Sequence, residues 1–450
     1  MARSLLQDRD TYISAFGDFV SASPSSYHAA GALAETLAAA GFTAHDETAA
    51  WSPLTAGGRG FVRRDGAVIA WRAGADVDAV SPVRVLGAHT DSPGFVVKPR
   101  PDFESDGWAQ VGVEIYGGPL LTSWLDRDLG FAGRIVTRDG VEHLVRTGAV
   151  ARIPQLAIHL DRDANKAMTL DRQRHTQPII GIAGEDLSVL SLLVRELGGG
   201  ARSGSGRGRA AARSAARAAL TAEDVVGVDV RLYDTQAPQR IGAQAELFAS
   251  PRLDNLTSTY AGLVALLETE PDPGTISMVA AFDHEELGSN TRSGAAGPFL
   301  ADVLDRLRAG LDATGEDSAR ALAASWCLSA DAGHSVHPNY PEKHDPRVRP
   351  LAGRGPMLKI NANQRYASDA HGAALWSRLG AAAEVATQEF VSNNTVPCGS
   401  TIGPITATRI GIRTVDVGVP LLSMHSAREL GHIDDLFGLA KLTGAFFAGA

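Results

Sequence analysis

The stretch that most constrains this chain is a short apolar run, residues 275–282, ending in Asp283-His284-Glu285-Glu286-Leu287-Gly288-Ser289. Its length and β-favouring composition predict a buried strand. Side chains alternate at period two along a strand, so the two adjacent glutamates should diverge, one toward a cation and the other toward a cavity. That layout suits a metal ligand beside a general base. Acidic residues equally suit a solvated loop or a helix amino-terminus, so the rest of the chain must decide.

The same pattern recurs. Residues 83–88 read as a strand that delivers His89-Thr90-Asp91-Ser92-Pro93-Gly94. In His-x-Asp the imidazole can ligate a metal through one nitrogen while a carboxylate holds the other, although Asp-Ser-Pro-Gly is also strong turn chemistry. Residues 325–330 form a strand ending at Asp331, and residues 414–419 lead through Pro420 to His425. Asp254 sits in a loop opening a helix predicted over 256–270, where it can also serve as a cap. His89, Glu285, Glu286, Asp331 and His425 thus fall at or beyond the carboxyl ends of apolar strands, where open α/β sheets gather their ligand sites. Two histidines and four carboxylates, with no thiolate, suit zinc or manganese. Three ligating carboxylates fit two divalent ions better than one, and such ions lower the pKa of water. The spare glutamate can then take the water's proton. The chain lacks a Gly-x-Ser-x-Gly elbow, a phosphate-binding loop and a His-Glu-x-x-His helix. Metal-assisted hydrolysis is the chemistry these residues favour.

The remaining chain gives the organisation. Residues 11–41 carry apolar positions at helical spacing, broken at Ala22-Ser23-Pro24-Ser25, and predict two helices with Gly41 as a stop. From about 95 to 247 the texture changes to short alternating strands, which predicts a β-rich inserted domain between catalytic segments 1–94 and 248–450. Within it, Ile153-Pro154-Gln155-Leu156-Ala157-Ile158-His159-Leu160 holds a lone histidine in an apolar run, and spacing alone makes His159 a core residue. Residues 198–220 are rich in Gly, Arg and Ala and read as a solvated loop rather than an anion site. A chain of 450 residues that is 44% hydrophobic and 21% charged has ample material for a large core. Its formal net charge of −9 argues against nucleic-acid or anionic-membrane binding. The first residues lack an apolar leader and no apolar stretch would span a bilayer, so a cytoplasmic location is expected. Cys327 and Cys398 read as reduced core thiols.

These residues resemble the aspartyl aminopeptidase family of dinuclear zinc exopeptidases over nearly the whole chain. The resemblance rests on His89-Thr90-Asp91-Ser92-Pro93, Leu121-Thr122-Ser123-Trp124-Leu125-Asp126-Arg127-Asp128-Leu129, Ser250-Pro251-Arg252-Leu253-Asp254-Asn255 and the Asp283–Ser289 motif. It continues through His337-Pro338-Asn339-Tyr340, Gln364-Arg365-Tyr366-Ala367-Ser368 and Pro397-Cys398-Gly399-Ser400-Thr401-Ile402-Gly403-Pro404. It implies an α/β fold whose mixed sheet, with helices on both faces, carries a dinuclear metal site, and a β-rich insert that dimerises and builds a dodecamer. It implies that Asp254 bridges two divalent ions, zinc with manganese and cobalt as alternatives. His89 and Asp331 then complete one site, and Glu286 and His425 the other. Glu285 is implied as the general base, Asp91 as the carboxylate orienting a ligand, and His159 as an oxyanion partner reaching a neighbouring subunit. The implied substrates are peptides with amino-terminal Asp or Glu, read by Lys359 with Tyr366 beside it. A lysine suits an acidic side chain, although its position also suits a surface lysine at a strand end. The rivals are neutral amino-terminal specificity on the same machinery and, in another class, a non-catalytic assembly protein using the arginine tract.

Overall fold

The computed structural model describes residues 4–184, 187–199 and 220–450. Most of the 198–220 tract lies outside the described residues. The chain divides into two compact units, one comprising Met1–Ser92, Pro238–Met424 and Glu429–Ala450, the other Pro93–Ala237 and His425–Arg428.

The first unit is built on a nine-stranded mixed sheet. Its strand order is Thr43–Ala44, Arg59–Arg64, Ala67–Ala73, Ile276–Phe282, Val83–His89, Trp326–Ala330, Arg413–Gly418, Met357–Ile360, Gln388–Val391. The inner four, from Ile276–Phe282 to Arg413–Gly418, run parallel to one another. All seven residues of Ile276–Phe282 are buried, because helices cover both sheet faces and leave no polar side. Val279 and Ala281 join a cluster with Leu256, Leu263, Leu439 and Phe446 on one face. Met278, Ala280 and Phe282 join Phe299, Val303 and Leu307 on the other.

The helix Leu253–Glu268 lies almost wholly within the core, and the carboxyl-terminal helix Ile433–Phe447 buries Leu436, Leu439, Leu442 and Phe446. The amino-terminal pair forms as the periodicity predicts, Arg9–Ala22 and Ser26–Ala39. Asp8 and Ser25 cap them by accepting the N–H groups of Thr11 and His28. Gly41 stops the second in the left-handed region at φ 81°. A second sheet of this unit has the order Gln239–Ile241, Leu247–Ser250, Glu429–His432, Pro420–Leu422, Gly333–His334.

The second unit carries a six-stranded antiparallel sheet ordered Glu142–Arg146, Leu129–Thr137, Val225–Asp234, Gly94–Ser105, Trp108–Tyr116, Ile179–Ile182. The helix Val189–Gly199 closes one face through Val189, Leu193 and Leu197. Among the described residues, no helix is long and apolar enough to cross a membrane.

Candidate active site

Sheet register brings the first unit's site residues together. Phe282 pairs with His89 and Ser329 with Gly87 in parallel alignment, so Asp331 follows its strand at the level where His89 ends the neighbouring one. The Asp283-His284-Glu285-Glu286 turn starts beside both. Asp254 arrives from the start of the Leu253–Glu268 helix, where φ −82° and ψ 105° take it out of helical geometry. It therefore aims its side chain at the sheet edge instead of capping the helix.

The result is a buried cluster. His89 Nε2 lies 3.3 Å from Asp254 Oδ1 and 3.5 Å from Asp331 Oδ1. These three ligand-type atoms all lie within 4.8 Å of one another, as do those of His89, Glu285 and Glu286. His89 Nδ1 is 3.0 Å from the Asp91 carbonyl oxygen. A carbonyl only accepts, so Nδ1 carries the proton and Nε2 is the ring atom that could ligate a cation. One imidazole and several carboxylates converging without a thiolate fit zinc and other borderline cations.

The separation of the two glutamates has a different origin from the strand alternation expected of them. His284 adopts a left-handed conformation at φ 66° and Glu285–Leu287 forms a 3₁₀ turn, so the chain has already left the strand. Asp91, fully buried, fixes that turn: its Oδ1 accepts the Glu285 N–H at 3.0 Å and its Oδ2 the Glu286 N–H at 3.2 Å. One carboxylate thus positions both glutamates through their backbone.

Electrostatics match the crowding. Burial lowers the pKa of His89, but Asp254, Asp331 and Asp91 outweigh that and hold it well above the usual imidazole range. Glu285 is pushed up to about 8 by burial and by Asp331, Asp254 and Asp91, with His89 pulling the other way. A divalent cation would reverse that balance by favouring the ionised carboxylates.

Lys359 lies near the end of Met357–Ile360 and is 2% exposed, which excludes the surface lysine. Its ammonium donates to the Ala332 carbonyl at 2.7 Å, stands 3.5 Å from Asp331 Oδ2, and lies 5.4 Å from the centre of the Tyr366 ring. Tyr366 packs against Met357 and Phe390, with Cys398 at the edge. Behind them Asp416, fully buried, accepts from Ser329 Oγ at 2.7 Å, from the Ala367 N–H at 2.6 Å and from Thr401.

In the second unit, His425 follows the short strand Pro420–Leu422 and belongs with the segment His425–Arg428. The main-sheet strand therefore does not deliver it directly. Its Nδ1 lies 3.0 Å from the Gly118 carbonyl oxygen, which selects the tautomer with the proton on Nδ1. His159 is exposed in a turn, and Leu156, Ile158 and Leu160 around it are 61%, 43% and 75% exposed. The core position that spacing suggests for His159 is therefore wrong, because the apolar run is not a strand.

An α/β sheet whose carboxyl edge gathers a histidine and four carboxylates within ligating reach is the framework of a metal-dependent enzyme. The chain belongs to the peptidase M18 family, the aminopeptidase I zinc metalloproteases, whose family model matches residues 19–447. It is 49% identical over 438 residues to a probable M18 family aminopeptidase 2 of Streptomyces avermitilis, covering 96% of each chain. A protein of the same description from Streptomyces coelicolor is 47% identical, covering 95% of each. Among solved structures, a chain in the complex of Ape4 and Nbr1 superposes with a TM-score of 0.91 at 33% identity, covering 100% of this chain and 87% of that one. The mApe1 dodecamer of S. cerevisiae gives 0.79 at 28% identity, covering 97% and 96%. The family activity is zinc-dependent aminopeptidase hydrolysis.

Proposed function

We propose that this protein releases amino-terminal Asp and Glu from peptides. The observation that carries the reading is Lys359, a buried cation 3.5 Å from Asp331 at the wall of the carboxylate cluster. A buried ammonium is costly to desolvate and is kept where a carboxylate answers it. An acidic substrate side chain would add the second such partner.

His89, Asp254 and Asp331 would hold one zinc ion, Glu286 would ligate a second, and His425 would serve as a ligand through Nε2. Bound zinc supplies Lewis acidity, lowering the pKa of water and polarising the scissile carbonyl. Glu285 takes the attacking water's proton and returns it to the leaving amine. Asp91 keeps Glu285 in place through its backbone N–H. Lys359 pairs with the substrate carboxylate, with Tyr366 lining that wall. His159, on its exposed turn, reaches a second subunit and donates to the developing oxyanion. That role needs a homo-oligomer, and the dodecamer of the S. cerevisiae relative supports a dodecamer built from dimers here. The test is hydrolysis of matched aminoacyl-anilides, Asp and Glu against Leu and Ala, on zinc-quantified protein with and without chelator. Chelator-sensitive turnover that favours Leu or Ala would refute the acidic specificity.

A further inference from the structure

The helix Leu253–Glu268 begins without a side-chain cap, since Arg252 at its N-cap position is left-handed at φ 59° and makes no capping bond. The first N–H groups of a helix have no carbonyl partner within it. At Asp254 that donor is met from far along the chain, because Glu429 Oε2 accepts the Asp254 N–H at 3.0 Å. Glu429 is 2% exposed and opens the strand Glu429–His432. It pairs with Ser250, four residues before Asp254, and this register brings the carboxylate to the helix start. The Asp254 carbonyl is held as well, accepting from Ser92 Oγ at 2.8 Å.

The next residues tie the other two members of the cluster to the same segment. Asn255, fully buried, donates from Nδ2 to the Ala330 carbonyl at 2.8 Å, immediately before Asp331. Thr259 Oγ1 donates to the carbonyl of His89 itself at 2.9 Å. Residues 254–259 therefore tie His89, Asp254 and Asp331 together, and Glu429 holds the start of that segment.

We propose that Glu429 is a positioning residue for the zinc site, acting through the Asp254 backbone N–H rather than by ligation. The proposal rests on the reading of His89, Asp254 and Asp331 as zinc ligands. Loss of the acceptor leaves a buried N–H unpaired one bond away from a ligand's Cα, and the helix start relaxes toward ordinary helical geometry. Outer partners of metal ligands are typically worth about 10- to 100-fold in affinity, so Glu429→Ala should weaken zinc binding by that factor. Glu429→Gln retains an acceptor oxygen and should stay within about threefold of the wild type, given the strength of a single neutral hydrogen bond.

The experiment measures the zinc dissociation constant of the full chain by competition with a chromophoric chelator. Melting temperatures of the zinc-free and zinc-loaded forms are recorded alongside. Positioning predicts that Glu429→Ala shrinks the increment between loaded and zinc-free forms and that Glu429→Gln restores it. A Glu429→Ala protein whose two forms melt lower by the same amount, with zinc affinity kept, overturns the proposal, because Glu429 then serves only the fold. If Glu429→Ala yields no folded protein, Ser92→Ala carries the test from the other end of the Asp254 peptide, and unchanged zinc affinity there overturns it. Asp254→Asn runs in parallel: unchanged affinity in that variant refutes the ligand assignment itself, whereas lost affinity there with Glu429→Ala unaffected refutes the positioning alone.

Discussion

Replacing Lys359 with methionine keeps an unbranched side chain, one atom shorter, and removes its charge. In the folded protein that charge faces Asp331 Oδ2 at 3.5 Å and the Ala332 carbonyl at 2.7 Å, with almost no solvent access. Unit charges at that separation attract by about 5 kcal/mol at an effective dielectric near 20, before desolvation is subtracted. Two losses follow, and they separate. The loss at Asp331 weakens every substrate alike, because it disturbs a carboxylate proposed to hold zinc. The loss at an acidic substrate is selective, since a charge-assisted hydrogen bond contributes about 1.5–3 kcal/mol, or roughly 10- to 150-fold. The measurement is kcat/KM for Asp-, Glu-, Ala- and Leu-anilides at known zinc content. The ratio of Asp to Ala should fall by roughly 10- to 150-fold. An unchanged ratio with a uniform fall in all four would refute the reasoning and confine Lys359 to supporting Asp331.

Glu285→Gln should retain zinc stoichiometry by elemental analysis while kcat falls on the order of 100- to 10,000-fold, the usual contribution of a general base; retained turnover would remove Glu285 from that role. A Cβ at Gly418 would lie 1.8 Å from the Asp331 carbonyl oxygen. Gly418→Ala should therefore destabilise by about 1–3 kcal/mol and lower zinc affinity, read by denaturant unfolding and chelator competition. Asp435 is pushed up to about 6 by burial, against the N–H groups of Gly353 and Gly355 that favour its ionised form. A raised carboxyl pKa contributes stability in full below its unfolded value and loses it as pH rises through the folded one. The stability advantage of wild type over Asp435→Asn should thus shrink by up to about 3 kcal/mol between pH 4 and pH 7, measured by urea unfolding; an advantage that grows with pH would contradict the burial argument.

Strands with one dominant requirement were legible in the sequence. Residues 276–282 are apolar at every position but Ser277 because both sheet faces are covered, and a short run of that kind predicts a buried strand. His89, Glu285, Glu286 and Asp331 were legible for the same reason, since each ends or follows such a strand. Period-two reasoning failed where the chain had already left the strand. The turn at His284, rather than alternation, separates Glu285 from Glu286, and the exposed turn at His159 carries apolar residues that periodicity assigns to a core.

The sequence by itself determined the chemistry on offer: the histidine and carboxylates, their attachment to strand ends, the lysine near them, and the family to which they belong. Tertiary structure alone decided which groups meet. Parallel register sets His89 level with Asp331, a non-helical kink turns Asp254 toward them, and Asp91 reaches the N–H groups of Glu285 and Glu286, 194 and 195 residues away. Glu429 reaches Asp254 across 175 residues. Local sequence carries no mark of such partners, because a backbone N–H donates to any carboxylate that the fold brings within reach, and only the register of distant strands selects which one arrives.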